Sequence, residues 1–142
     1  MANAAYTIFK NGMPQADYDL LVASIKVMLV SGYTFSASHQ TVADVTGAGG
    51  TINATSAALA NPSMVGGVFD ADDTSVSATA SALNHILIVA QTSAVTGGAD
   101  LPANQQKLML YLDTGTGLPI QPGTGTVTIT WSSGSAKIVA LV

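Results

Sequence analysis

The sequence predicts an all-β, antiparallel fold, and three observations carry that expectation. Charged residues make up 8% of the chain, against about a quarter in ordinary soluble domains. There is no Glu and no Arg, so strong helix formers beyond Ala and Leu are scarce, while Thr, Ser, Val and Gly abound. Short runs of alternating apolar and polar residues recur, separated by Gly, Pro, Asn and Asp, which is how strands and turns read in sequence. About eight to ten short strands and no long helix leave a sandwich, a jelly roll or a barrel as candidate architectures. The 142 residues are one domain's worth. The expected division is an N-terminal arm over 1–13 and a single β domain, taken as a sandwich, over 14–142.

Residues 1–13 read as an arm or a short helix. Ala5, Tyr6, Ile8 and Phe9 make a small apolar stripe that Asn11, Gly12 and Pro14 end. The first firm strand covers 24–30. There Ile25, Val27 and Leu29 share one face, and Lys26 lies opposite with Met28 and Val30, marking an edge or a snorkelling position. Residues 36–45 suit one helical turn with Ser36 or Ser38 as its N-cap. Residues 51–60 and 63–69 read as two strands split by Asn61 and Pro62, and 74–80 alternates weakly. Residues 83–90 are apolar enough for a central strand. Residues 91–106 form a polar connection longer than ordinary hairpin loops, and hence a candidate contact loop. The chain closes on a strand over 136–142.

The stretch 107–131 dominates the C-terminal third. Leu108, Leu110 and Leu112 alternate with Lys107, Met109 and Tyr111. Val127, Ile129 and Trp131 alternate with Thr126, Thr128 and Thr130. Turn residues over 113–124 separate the two runs, so the unit reads as hairpin-like.

Several kinds of chemistry find no support. Four scattered lysines and a net charge of −4 argue against nucleic-acid binding, which needs clustered cations. No apolar run reaches the roughly 18 residues of a membrane span. No charged n-region precedes an apolar stretch at the N-terminus, so no signal peptide is expected. Without cysteine there is no disulfide framework or thiolate metal site. His39 and His85 lack a ligand partner at metal spacing, so neither a metal nor a cofactor is expected.

Residues 46–50 are Gly-rich but lack the Lys and Ser/Thr of a phosphate-cradling loop. Asp113-Thr114-Gly115 matches the tripeptide of aspartic proteases, whose two carboxylates share a proton. Too little chain follows for the rest of such a site, and a turn is the expected role. Asp70, Asp72 and Asp73 cluster without the Gly and Glu of an EF-hand, and read as a solvated, turn-forming cluster, with an irregular calcium site as the alternative. No catalytic residues are assigned, and no enzyme is expected.

Four stretches, taken together, resemble a family of small virion proteins of tailed bacteriophages and prophages. They are residues 20–45, with IKVMLV, YTF, His39 and Asp44-Val45; GVFDADD at 67–73; the apolar strand around 86–89; and LDTGTGLPIQPGTGTVTITW followed by SGSAKIVAL. They span most of the chain in order. The chain departs from the family pattern at 91–106, which is longer, and at Ala90-Gln91, where the family tends to carry a charge. The resemblance implies a jelly-roll-like sandwich similar to capsid cement, or decoration, proteins. It implies the major capsid protein as partner, a homodimer or homotrimer, and a place on the outer capsid surface, with no nucleic acid and no membrane. On that reading the arm, through Tyr6, Ile8 and Phe9, and the long loop, through Gln91, Asn104 and Gln105, are the expected contacts with the capsid or a second subunit. Deleting residues 1–10 should then leave a folded domain that binds capsid less well. The alternative is a tail, neck or receptor-facing component, which would show aromatics on exposed loops; Tyr33 and Phe35 are the candidates.

Overall fold

The structure, a computed structural model, describes residues 3–15, 17–21, 23–78, 83–91, 99–114, 118–119, 125–132 and 137–140. Among these, the elements run β1 (Ala4–Ala5), α1 (Thr7–Gly12), β2 (Ile25–Ser31), α2 (Val42–Gly47), β3 (Thr51–Thr55), β4 (Ser63–Val65) and β5 (Val68–Asp70). They continue through β6 (Thr74–Ala78), β7 (His85–Ala90), β8 (Lys107–Leu112), β9 (Gly125–Ile129) and β10 (Val139–Ala140). The all-β expectation holds: every strand pairing is antiparallel, and the two helices have six residues each.

The central layer is a five-stranded sheet in the order β1-β8-β7-β2-β3. Apolar residues on both faces of β2, β7 and β8 explain this placement, because strands so built must be covered on both sides. One face carries Ile25, Val27, Leu29, Ile86, Ile88 and Leu110, packed with Phe69 of β5, Val76 and Ala78 of β6, and Ile129 of β9. Two smaller sheets, β10-β5-β4 and β6-β9, thus cover that face as in a β-sandwich. The opposite face carries Met28, Val30, Leu87, Val89, Leu108 and Tyr111, covered by Tyr6, by Tyr33 and by Val42 and Val45 of α2.

Several local expectations change. The unit over 107–131 is not a hairpin. Both edges of β8 are taken, by β1 and β7, and β9 pairs instead with β6 in another sheet. Alternation specifies a strand's faces and not its partner. Within β8 the faces also shift. Ile88 pairs with Leu110 and Val89 with Leu108, which leaves Met109 as a bulge. One extra residue reverses the parity, so Met109 joins Leu110 on one face while Leu108 joins Tyr111 on the other.

Lys26 does not mark an edge, because β2 lies between β7 and β3. It snorkels, and its ammonium meets the Asp100 carboxylate at 2.7 Å. Residues 63–69 are not one strand. Gly66 and Gly67 both adopt positive φ, the conformation a two-residue hairpin turn needs, and join β4 to β5. The helix expected over 36–45 begins at Val42, not after a serine cap. The Asp44 carboxylate accepts from the backbone N–H groups of Gln40 at 2.8 Å and Thr41 at 2.9 Å. These bonds hold the Asp44 carboxyl below its ordinary range. Of the closing strand expected over 136–142, residues 136, 141 and 142 lie outside the described residues; Val139 and Ala140 pair with Phe69 and Val68 of β5.

Candidate binding surface

The arm does not extend from the body. Ala4 and Ala5 pair with Tyr111 and Leu110, and the Tyr6 N–H donates to the Met109 carbonyl at 3.0 Å. Asn3 secures the start: its side-chain oxygen accepts from the N–H groups of Asp113 and Thr114, both at 3.0 Å, and from the Thr114 hydroxyl at 2.9 Å. Asp113 and Thr114 thereby become an anchor for the N-terminus.

Three of the six expected contact residues are buried within the domain itself. Tyr6 is 0% exposed and Phe9 1%, because the strand and helix drive both rings into the domain's own core. Phe9 packs edge-on against Tyr18 at 5.2 Å between centroids. Gln91 is 1% exposed. Its N–H donates to the Ser24 carbonyl at 2.8 Å, and its own carbonyl accepts from the Leu101 N–H at 3.2 Å. None of the three presents a side chain to a partner in this conformation.

The other three converge. Ile8 from α1, and Asn104 and Gln105 from the loop before β8, line one open pocket of about 380 Å³. Asp17, Tyr18, Ala23, Gln40, Thr41, Ala90, Leu101 and Lys107 complete it. The loop is seated by backbone bonds from Val42 to Gln106 and from Ala43 to Ala103, each 3.1 Å, which tie it to the start of α2. On the other side, Gly12 ends α1 against the Tyr18 ring so closely that a Cβ there would lie 2.5 Å from Cε2. A glycine at the helix end therefore fixes the distance between α1 and the pocket wall.

The Lys107 ammonium sits 5.3 Å from the centre of the Tyr18 ring. Burial, reinforced by the Asp17 charge, pushes the Tyr18 phenol up to about 12, so it stays neutral at physiological pH. Asp17 and Lys107 face the same space without pairing: no ion pair joins them among the described residues. Sequence reasoning missed Asp17, Tyr18, Gln40, Thr41, Leu101 and Lys107. They come from separate stretches, and no local pattern marks them as one site.

The second polar constellation lies on the α2 side of the sheet. The Tyr6 hydroxyl donates to that of Tyr33 at 3.1 Å, and the Tyr33 hydroxyl lies 2.8 Å from Nδ1 of His39. The Tyr111 hydroxyl lies 2.8 Å from Nδ1 of His85. Phe35 stacks on Tyr111 at 4.8 Å, and Tyr33 meets Tyr111 at 6.0 Å. Tyr33 and Phe35 are therefore structural, not the exposed loop aromatics of a receptor-facing module. The histidines, solitary in sequence, each have a tyrosine partner. Burial lowers the His85 pKa, against an opposing pull from Asp113.

The carboxylates of the acidic cluster each serve a different protein group. Asp70 meets Lys137 at 2.7 Å, Asp72 accepts from the Asn61 side-chain amide at 2.7 Å, and Asp73 accepts from the Trp131 N–H at 2.9 Å. No helix among the described residues is long and apolar enough to cross a membrane. Comparison with known proteins gives no match to a family model, a curated protein or a solved structure.

Proposed function

We propose that this chain is a capsid cement, or decoration, protein of a tailed bacteriophage. It binds the outer surface of the assembled major capsid protein lattice and stabilises the head. The observation that carries this reading is the convergence of arm and loop. Ile8, Asn104 and Gln105, from stretches nearly a hundred residues apart in sequence, share one patch of surface. Asp17, Tyr18 and Ala23 share that patch, and Leu21, near them in sequence, is 50% exposed. A second apolar point is Val65, 76% exposed at the tip of the β4–β5 hairpin. Both stand on a surface poor in charge, which suits association more than solitary life at high concentration. The likeness of the four sequence stretches to small virion proteins supports the same reading.

Such a protein works by linkage. Binding the assembled lattice and not free subunits stabilises the lattice by mass action. Contacts repeated over symmetry-related copies, with the chain as a homodimer or homotrimer, add through avidity. The deciding experiment is the copy number per purified virion, measured by quantitative mass spectrometry against the major capsid protein. A simple ratio to the capsid subunit is expected. A few copies per particle would move the protein to the neck or tail, and absence from the particle would overturn a virion role.

A further inference from the structure

The pocket beside Lys107 has the makings of a ligand site, apart from any role in a virion. Of the described lysines, Lys26 and Lys137 are each held by a carboxylate at 2.7 Å. Lys107 has no such partner among the described residues. It is half-buried, and its ammonium lies over the Tyr18 ring. A ring face engages one side of an ammonium and leaves donors on the other side open. A partly desolvated cation gains most from an anion that also accepts hydrogen bonds.

The rest of the lining narrows the ligand class. Asn104, Gln105 and Gln40 offer amides, Thr41 offers a hydroxyl, and Ile8 and Leu101 offer apolar surface. Asp17 adds one negative charge, so the charged side chains of the lining sum to zero. A dianion such as phosphate would meet Lys107 but be repelled by Asp17. A ligand with one carboxylate and one N–H-bearing group satisfies both. The volume, about 380 Å³, lies at the small end of ligand pockets, which run about 300–1,000 Å³.

We propose that this pocket binds an amino-acid-like carboxylate carrying an apolar side chain, either a free amino acid or the C-terminal residue of a peptide. The carboxylate meets the Lys107 ammonium, the ammonium or amide N–H faces Asp17, and the side chain lies against Ile8 and Leu101.

The test is a titration of the full chain followed by ¹H–¹⁵N NMR, with four probes: L-leucine, N-acetyl-L-leucine, L-leucinamide and inorganic phosphate. Saturable shifts at pocket residues are expected with L-leucine or N-acetyl-L-leucine at about millimolar affinity. The first responding alone points to a free amino acid, and the second to a peptide end. Leucinamide, which lacks the carboxylate, and phosphate should bind at least about tenfold more weakly. Lys107→Met, which keeps the stem over Tyr18, should weaken the response about tenfold, whereas Lys10→Met, on the exposed face of α1, should not. No saturable response to either carboxylate, an equal response to leucinamide or phosphate, or unchanged binding by a folded Lys107→Met variant would each overturn the proposal. The leucinamide comparison uses the unaltered chain and so stands even if the variant fails to fold.

Discussion

The two faces of the five-stranded sheet are buried by different means. On the side of the small sheets the contact is mostly aliphatic, built from Ile25, Val27, Leu29, Ile86, Ile88 and Leu110, with Phe69 and Ile129 laid over them. On the α2 side Met28, Val30, Leu87, Val89 and Leu108 are joined by Tyr6, Tyr33 and Tyr111, whose hydroxyls bond one another or His39 and His85. The first face is held by area and close packing, which any well-shaped apolar set supplies. The second adds directional bonds between buried hydroxyls and imidazoles, where losing one partner leaves another unsatisfied. The difference predicts that the first face responds to changes of volume, and the second to single polar atoms and to pH.

The N-terminal segment belongs to both faces, with Tyr6 on the aromatic side and Phe9 on the aliphatic side. Its removal is therefore the largest perturbation. Each ring carries about 3–5 kcal/mol of packing, set against about 5–15 kcal/mol for a whole domain. Deleting residues 1–10 is expected to abolish the cooperative thermal transition seen by circular dichroism. This reverses the expectation from sequence of a folded, weakly binding remainder. A truncated chain with an unchanged melting midpoint would mean that the segment packs only loosely.

A matched pair of substitutions sharpens the contrast. Ile88→Ala opens a cavity on the aliphatic face and should cost about 2–5 kcal/mol in denaturant unfolding. Tyr33→Phe keeps the volume but removes the hydroxyl between Tyr6 and His39. It should cost about 1–3 kcal/mol, because it strands the buried Tyr6 hydroxyl. If Tyr33→Phe proves neutral, the aromatic face is held by packing alone and the contrast collapses.

The smallest effect is pH dependence, and it belongs to the aromatic face. The His85 pKa is lowered from an ordinary 6.5 by burial, so the unfolded chain takes up a proton before the folded one. The contribution is fully present above about pH 6.5 and is lost as the pH falls from there through the depressed folded value. Melting midpoints should decline over that range, and His85→Phe should flatten the decline. On the alkaline side, burial pushes the Tyr111 phenol up to about 12, so its contribution is full below about pH 10 and is lost above it. An acid decline that persists in His85→Phe would assign it to another group.

What could be read from residues alone is local. The dearth of charge and of Glu and Arg pointed to β structure, and the positions of β2, β6, β7, β8 and β9 follow from apolar runs and alternation. Those signals live within a few residues, where the pleat sets which side chains share a face. Only the tertiary structure decided which strands pair. It separated β8 from β9, inserted β1 beside β8 and placed β2 away from the edge, because pairing is settled by competition for edges across the whole chain. The Met109 bulge is of the same kind: one surplus residue against β7 exchanges the faces of Leu108 and Met109, and nothing in LMLYL announces it. The pocket was legible only in part. Ile8, Asn104 and Gln105 stood out as an arm residue and loop amides, while Asp17, Tyr18 and Lys107 acquire meaning only when folding brings a cation over a ring and leaves an acid across from it. Tyr6 and Phe9 show the converse. An apolar stripe states that a segment will be buried, and the fold alone decides whether the surface that buries it is its own.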